Sequence, residues 1–278
     1  MTRHYITDAA SLDQSDMKVL HSIHSAGFFS CSTIALMDVI NFFNEHKSMP
    51  DRFDRFRQYE TFKAKPSQDL SSFYFDVDDS VIIDHNGVDI PLPYDCMSIQ
   101  FAPYKDLPFD HYLPIINKYF HPSQHIQNLA YNLIQKYALN MDNLCAVFYR
   151  GNDKAREMQV PTYDEFINKA HEIKSKRPDV RFLVLPDETQ FMAAFRSHFP
   201  DSLCFDETKG MDKKDSAVFL ELPQDKRAEH GAYFFAAVLC LSKCSEVITH
   251  SGNGGLWLSL YRGNAYDIHQ IFNGQWLN

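Results

Sequence analysis

The sequence lacks the long apolar runs that membrane proteins carry. No uninterrupted apolar stretch approaches the roughly 20 residues that a helix needs to cross a bilayer. Residues 1–20 contain no continuous apolar block of the kind found in secretory signals. We therefore expect no integral membrane segment and a soluble, cytoplasmic protein.

Positive charge and paired cysteines are also scarce. Lys and Arg number 27 against 36 Asp and Glu, which gives a formal net charge of -9. A surface that binds nucleic-acid phosphates needs the opposite, positive charge. We expect no nucleic-acid partner. The six cysteines form no Cys-x-x-Cys pair, which favours free thiols in a reducing compartment over a structural zinc site.

The chain has enough apolar material for a sizeable core. Its 278 residues are 45% hydrophobic and 14% aromatic, which suits one large or two modest domains. From residue 144 onward, short apolar strands alternate with helical spacing, and this alternation predicts a parallel sheet covered by helices on both faces. The predicted strands are 144–149, 181–185, 202–205 and 246–249, and the predicted helices are 163–175, 190–198, 226–242 and 256–261.

The first half is less regular but opens in the same way. A strand near 18–24, a glycine-containing turn and a helix at 33–43 predict a second α/β unit. The pattern then favours a helix around 51–62, a strand at 73–79, a loop at 92–110, and helices at 112–119 and 122–139. We place a domain boundary near residue 140.

Three chemically active side chains directly follow predicted strands: Arg150, Asp187 and His250. In open parallel sheets, ligands bind in the crevice outside the carboxyl ends of the strands. We therefore expect the three loops to converge on one site.

The first of these loops reads Arg150-Gly151-Asn152-Asp153-Lys154. A fixed arginine and lysine can stabilise the negative charge of a diphosphate leaving group. A nearby carboxylate can take a proton from an attacking hydroxyl. The bland alternative is a solvated charged loop.

Two glycine-containing turns precede predicted helices. His250–Gly255 reads HSGNGG, and its glycines would let backbone N–H groups approach a phosphate. It matches neither a Walker loop nor Gly-x-Gly-x-x-Gly. Ala26–Ser30, AGFFS, could approach a ligand from the other side of a cleft. In both cases a plain tight turn is the alternative.

Asp76-Val77-Asp78 suggests a different chemistry. An Asp-x-Asp pair can hold a divalent cation in nucleotide-sugar transfer. The alternative is an exposed acidic turn, which has the same sequence pattern without binding a metal.

Taken together, residues 120–265 resemble the fucosyltransferase superfamily, which includes the α-1,6-, α-1,2- and protein O-fucosyltransferases. That family carries a strand ending in His-x-Arg-Arg-x-Asp-Lys, where this chain has Phe148 to Lys154. In the family a strand ending in an acidic pair follows, and this chain has Asp187-Glu188 there. The family then has a long helix and a strand that leads into a Ser-rich turn, which corresponds to residues 244–253 here. The family's glycine-rich first turn corresponds loosely to residues 27–30.

The chain departs from the family pattern at three places. Gly151 stands where the family has its second arginine, and Phe148 stands at the first histidine. Residues 234–238 contain no acid where the family uses an aspartate to read guanine. The donor nucleotide can therefore be GDP or UDP, and the sugar can be fucose or another sugar such as xylose.

The resemblance implies an α/β protein of GT-B type, with two Rossmann-like domains facing a cleft. Residues 1–140 would form the acceptor side and residues 141–278 the domain that binds the nucleotide sugar. The activity implied is inverting, metal-independent and cofactor-free transfer of a sugar from a nucleotide-diphosphate donor to a hydroxyl of a glycan acceptor. The alternatives are a non-catalytic nucleotide- or carbohydrate-binding protein and a metal-dependent GT-A-type transferase that uses Asp76 and Asp78.

The resemblance also assigns site residues. The residues expected to bind the donor are Arg150, Asp187, His250, Ser251, Gly252 and Asn253. The residues expected in catalysis are Glu157 and Asp153, as base or as the group that orients it, with Lys154 beside the diphosphate; strict spacing places the family's base at Met158. The residues expected at the acceptor side of the cleft are Gly27, Phe28, Phe29, Ser30 and Asp38.

Overall fold

The computed structural model describes residues 17–83, 86–152, 154, 157–208, 210–212 and 216–277. The first half contains β1 (Val19–His21), α1 (Phe28–His46), β2 (Arg52–Asp54), α2 (Ser71–Tyr74), β3 (Phe75–Asp76), α3 (Phe109–Tyr119), β4 (His121–Pro122) and α4 (Gln124–Lys136). The second half contains β5 (Leu144–Tyr149), α5 (Tyr163–Lys176), β6 (Arg181–Pro186), α6 (Thr189–His198), α7 (Gln224–Ser242), β7 (Glu246–His250), α8 (Asn253–Arg262), β8 (Ile268–Phe272) and β9 (Gln275–Trp276).

The second half forms the predicted parallel sheet. Its strand order is β6-β5-β7-β8-β9, and only β9 runs antiparallel to its neighbour. All six residues of β5 are buried and alternate between two apolar clusters, as strand geometry requires. Val147 and Tyr149 pack in the cluster that contains residues of α5 and α6, whereas Ala146 and Phe148 pack in the cluster that contains residues of α7 and α8.

The strand order contains a topological switch point. From β5 the chain moves to β6 on one side, and later returns to place β7 on the other side of β5. A crevice opens at such a reversal, outside the carboxyl ends of the two central strands. The loops that begin at Arg150 and Ser251 therefore start at the edge where a ligand is expected.

The first half differs from a second Rossmann-like domain. Its described residues form two two-stranded pairs, β1 with β2 (parallel) and β3 with β4 (antiparallel). The helix predicted at 51–62 is wrong, because this segment forms β2 and a 3-10 turn at Glu60–Phe62. The division near residue 140 stays a prediction.

One apolar core runs through both halves of the chain. Helix α1 packs on α8 and α4 packs on α7, and the buried side chains of these helices belong to one cluster. Helix α1 begins at Phe28, five residues earlier than predicted, so Gly27 becomes its N-cap. None of the six cysteines forms a disulfide in the structure. None of the described helices is long and apolar enough to cross a membrane.

Candidate active site

A cavity of about 590 Å³ lies at the carboxyl edge of the sheet. Both halves of the chain contribute to its wall. The first half supplies the start of α1 and the segment around residues 96–101, and the second half supplies the ends of β5, β6 and β7 and one face of α7. The three loops predicted to converge therefore do meet at one cavity.

Arg150 is held in place by Asp187 at the cavity wall. Its Nε donates to Asp187 Oδ2 over 2.9 Å, and the carboxylate also accepts the backbone N–H groups of Gly151 (2.7 Å) and Asn152 (3.2 Å). Asp187 is 4% exposed. Its oxygens thus fix the loop after β5 and orient the guanidinium, so Asp187 positions the cation and does not offer a free carboxylate to a ligand.

His250 joins the two loops at the switch point. Its Nε2 accepts the backbone N–H of Arg150 at 3.0 Å, and its Nδ1 lies 2.7 Å from the carbonyl oxygen of Ser251. This pattern requires a proton on Nδ1 and a lone pair on Nε2, which is the neutral ring. The histidine is a structural clamp in this arrangement.

The start of α8 faces the cavity through its backbone. Gly252 has φ +149°, a value that L side chains rarely adopt. A Cβ on Gly254 would lie 2.5 Å from the ring of Phe148, so glycine lets the helix start pack against β5. The first N–H groups of a helix lack intrahelical acceptors and attract anions. Ser251 does not line the cavity, and its hydroxyl accepts Gln270 Nε2 at 2.7 Å.

Asn253 links the two halves of the chain. Its Oδ1 lies 2.7 Å from Thr33 Oγ1 on α1, and its Nδ2 donates to Gln100 Oε1 over 2.9 Å. Thr33 also accepts the indole N–H of buried Trp257 at 3.0 Å. The side chain of Asn253 therefore holds the cavity wall together, while its backbone lies at the helix start.

Lys154 and Glu157 form an ion pair at the cavity wall. Lys154 Nζ lies 2.7 Å from Glu157 Oε2, and the two side chains are 11% and 40% exposed. The lysine stem lies near the start of α8, since a Cβ on Gly252 would be 3.6 Å from Lys154 Cε. Met158 is 9% exposed and carries no acid. Asp153 lies outside the described residues.

The structure explains why no second arginine follows Arg150. A Cβ on Gly151 would lie 2.4 Å from Glu188 Oε1 and 2.8 Å from Tyr149 Cε1. Real Cβ atoms essentially never make contacts below 3.0 Å, so a neighbouring atom would have to move. Any side chain at position 151 would therefore displace Glu188, which is fully buried and accepts a hydrogen bond from Tyr163.

The residues expected on the acceptor side divide into two groups. Gly27, Phe28, Phe29 and Ser30 line the cavity, and Ser30 Oγ lies 3.0 Å from His24 Nε2. Asp38 does not line it and instead accepts the hydroxyl of Ser22 at 2.6 Å.

The acidic pair Asp76 and Asp78 lies away from this cavity. Neither residue lines it. Asp76 accepts the backbone N–H of Gln124 at 3.2 Å, and Asp78 caps its own turn through Ser80, whose hydrogen bonds lower the pKa of the Asp78 carboxyl. Among the described residues, no group of three or more His, Cys, Asp or Glu side chains is arranged to hold a metal ion.

Comparison with known proteins finds a match in the fold and none for the sequence as a whole. No family model matches the sequence, and no curated protein matches it. Among solved structures, the fucosyltransferase NodZ from Bradyrhizobium superposes with a TM-score of 0.58 at 12% identity, over 93% of this chain and 100% of that one. The chain has a fucosyltransferase-like fold.

Further structures of the same enzyme agree. NodZ α-1,6-fucosyltransferase soaked with GDP-fucose gives a TM-score of 0.54 over 88% of this chain and 93% of that one, at 12% identity. NodZ co-crystallised with GDP gives 0.56 over 93% and 95%, also at 12% identity. The resemblance read from the order of the strand-end motifs is confirmed at the level of the fold.

The sequence did not assign a site role to His230 or Phe234 on α7, although the resemblance aligned residues 234–238 with the family's guanine-reading segment. The guanidinium carbon of Arg150 lies 5.6 Å from the centre of the Phe234 ring. His230, one helical turn earlier, also lines the cavity, and burial together with the positive charge of Arg150 lowers its pKa to about 4. Their i, i+4 spacing on a predicted helix was the available signal, since such residues share one face.

Proposed function

We propose that this protein is a glycosyltransferase that moves a sugar from a nucleotide-diphosphate donor to a hydroxyl of a glycan acceptor. The fucosyltransferase-like fold supports this assignment. The observation that carries it is the convergence of Arg150, Lys154 and the start of α8 on one cavity at the switch point.

The diphosphate is the part of the donor that these groups suit best. Arg150 is oriented by a buried carboxylate, and the first N–H groups of α8 lie in the same wall. Preorganised donors aimed at developing negative charge lower the barrier of a group transfer, because they need no reorganisation during the reaction. Arg150 and Lys154 would stabilise the departing diphosphate, so we propose that transfer needs no metal ion.

The transfer step is a single displacement in this proposal. The acceptor oxygen forms a bond to the anomeric carbon while the bond from that carbon to the diphosphate breaks, which inverts the anomeric configuration. The acceptor proton passes to a carboxylate within hydrogen-bond reach. Glu157 is the candidate, since it lines the cavity beside Lys154. Fucose and xylose remain the candidate sugars.

Calorimetry with GDP and UDP on the wild type and on Arg150→Ala tests the site. The variant should lose about 1.5–3 kcal/mol of binding free energy, the range for hydrogen bonds to charged groups. Binding and transfer should persist in EDTA. Unchanged nucleotide affinity in Arg150→Ala would contradict the diphosphate assignment. Loss of activity in EDTA would favour the metal-dependent alternative that uses Asp76 and Asp78. NMR of the anomeric proton in the product reports inversion or retention.

A non-catalytic nucleotide-binding protein is the second candidate. The observation that favours it is that Glu157 is engaged by Lys154 and that the position of the family's base is the apolar Met158. Donor turnover separates the two functions: a binder would hold the nucleotide sugar without transferring or hydrolysing it.

A further inference from the structure

The cavity wall beside α7 carries two polar groups that the diphosphate site does not use. His230 lines the cavity and makes no hydrogen bond with any described residue. Thr208 is 5% exposed, lines the same cavity, and its hydroxyl has no hydrogen-bond partner in the part of the chain that the structure describes. Buried polar groups are nearly always paired, so the Thr208 hydroxyl indicates a missing ligand, and the half-buried His230 ring lies in the same wall beside it.

Apolar side chains surround these two groups. The 3-10 turns Asp206–Thr208 and Val218–Glu221 both pack on α7, which brings their side chains next to its cavity face. We call this region the α7 slot, formed by Leu185, Thr208, Val218, Phe219, His230 and Phe234.

The α7 slot begins beside the diphosphate site. Phe234 lies against the guanidinium of Arg150, with 5.6 Å between the ring centre and Cζ. The positive charge of the same arginine contributes to the lowered pKa of His230. A nucleotide whose phosphates bind at Arg150 would therefore place the rest of the molecule, the nucleoside, in or beside the slot. Apolar walls with a few polar groups suit a flat heteroaromatic ring.

We propose that the α7 slot holds the nucleobase of the donor and recognises it through the uncharged groups of His230 and Thr208, so that UDP binds at least as tightly as GDP. This inference rests on the proposed function, because the diphosphate at Arg150 places the base in the slot.

The choice of base follows from hydrogen-bonding chemistry. Guanine presents two adjacent donors, which pair best with a carboxylate, whereas uracil presents one donor between two acceptors. Among the described residues that line the cavity, the carboxylates are Asp187 and Glu157. Asp187 is engaged by the loop after β5 and Glu157 by Lys154. Charge-assisted hydrogen bonds are roughly twice as strong as neutral ones, so a slot without a carboxylate gives guanine no advantage.

The protonation state of His230 supports this chemistry. Burial and the charge of Arg150 lower its pKa to about 4, so the ring is neutral near pH 7 and offers one donor and one acceptor. A threonine hydroxyl also serves as donor and acceptor. The pair thus matches the mixed edge of uracil without a charged group.

The test is calorimetry on the full chain with UDP, GDP and inorganic pyrophosphate. Wild-type protein should bind UDP at least as tightly as GDP, and UDP about tenfold more tightly than pyrophosphate, which corresponds to one or two net hydrogen bonds plus the ring contacts. His230→Leu and Thr208→Val should each weaken UDP binding about fivefold or more and leave pyrophosphate binding unchanged. Arg150→Ala should weaken all three ligands.

Thr208→Val also guards against loss of folding. Because the hydroxyl has no partner among the described residues, its replacement by an isosteric methyl should keep or raise the melting temperature while it lowers UDP affinity. GDP binding tighter than UDP in the wild type, or unchanged UDP affinity in both slot variants, would overturn the inference and leave the diphosphate site standing. Absence of pyrophosphate, UDP and GDP binding in the wild type would overturn both.

Discussion

Arg150 and Asp187 form an ion pair of 2.9 Å at the end of β5, with the arginine side chain 19% and the carboxylate 4% exposed. The same carboxylate accepts two backbone N–H groups of the following loop. One acid therefore sets both the direction of the cation and the path of the chain at the cavity wall.

Asp187→Asn should loosen this loop and weaken donor binding. The amide keeps one oxygen for three donors and brings an N–H₂ group toward them. Breaking a buried pair by removing one partner costs about 3–5 kcal/mol, and we expect the lower end because one acceptor remains. Urea unfolding measures the stability, and calorimetry with UDP and GDP measures the affinity. Asp225→Asn is the matched control, since that side chain is 69% exposed, and it should change neither quantity.

Gly151→Ala should destabilise the protein although it adds a single methyl group. The new Cβ would lie 2.4 Å from Glu188 Oε1, in a place where the acid is fully buried. Overpacking of this kind costs about 1–3 kcal/mol. Gly27→Ala is the control, because a Cβ there meets nothing within 4 Å. Equal melting temperatures for the two variants would contradict the steric explanation for the missing second arginine.

The second half of the fold could be predicted because its signals are local. Strand β5 and helix α5 begin where expected, since a buried parallel strand is a continuous apolar run and Thr162 with Glu165 forms a capping box at the start of α5. The predicted strand at 202–205 is only an isolated bridge between Leu183 and Leu203. Strand β8 was not predicted, because it is a strand only through its parallel pairing with β7.

The first half could not be predicted in the same way. Its segments depend on contacts with distant parts of the chain, so local spacing is a poor guide. Residues 52–54 form a strand because β1 is available as a partner, although their pattern favoured a helix. The candidate site shows the same division: strand-end residues such as Arg150 were predicted, whereas His230 reaches the cavity wall only because α7 packs beside β5.

Thr33→Val should destabilise the contact between α1 and α8. Trp257 is fully buried, and its indole N–H donates to Thr33 Oγ1 at 3.0 Å. Removal of the acceptor leaves that donor unsatisfied, which costs about 1–3 kcal/mol. Thr33→Ser keeps the hydroxyl and should lose less. Chemical unfolding of both variants measures the difference, and equal stabilities would show that the hydrogen bond contributes little.

His230 should make the protein less stable in mild acid. Burial and the charge of Arg150 lower its pKa from 6.5 to about 4 in the folded protein. Between these values the unfolded chain binds more protons than the folded chain, so stability rises with pH and is lost as pH falls from about 6.5 toward 4. His230→Gln removes this dependence. The difference in unfolding free energy between wild type and variant, measured at pH 7 and pH 5, should change with pH, and a constant difference would contradict the expected shift.

The last prediction concerns the catalytic base. Glu157 lines the cavity and Lys154 holds it at 2.7 Å, so a carboxylate is placed at the wall that carries the cations. Glu157→Gln keeps the shape of the side chain and removes its ability to take a proton, so turnover should fall on the order of 10²–10⁴ while donor affinity stays nearly intact. Lys154→Met should instead weaken donor binding, because it removes a cation beside the diphosphate. Asp153→Asn is assayed in parallel as the rival base. If Glu157→Gln keeps near-wild-type turnover and Asp153→Asn loses it, the base is Asp153; if both keep it, the proton leaves through a group outside this loop.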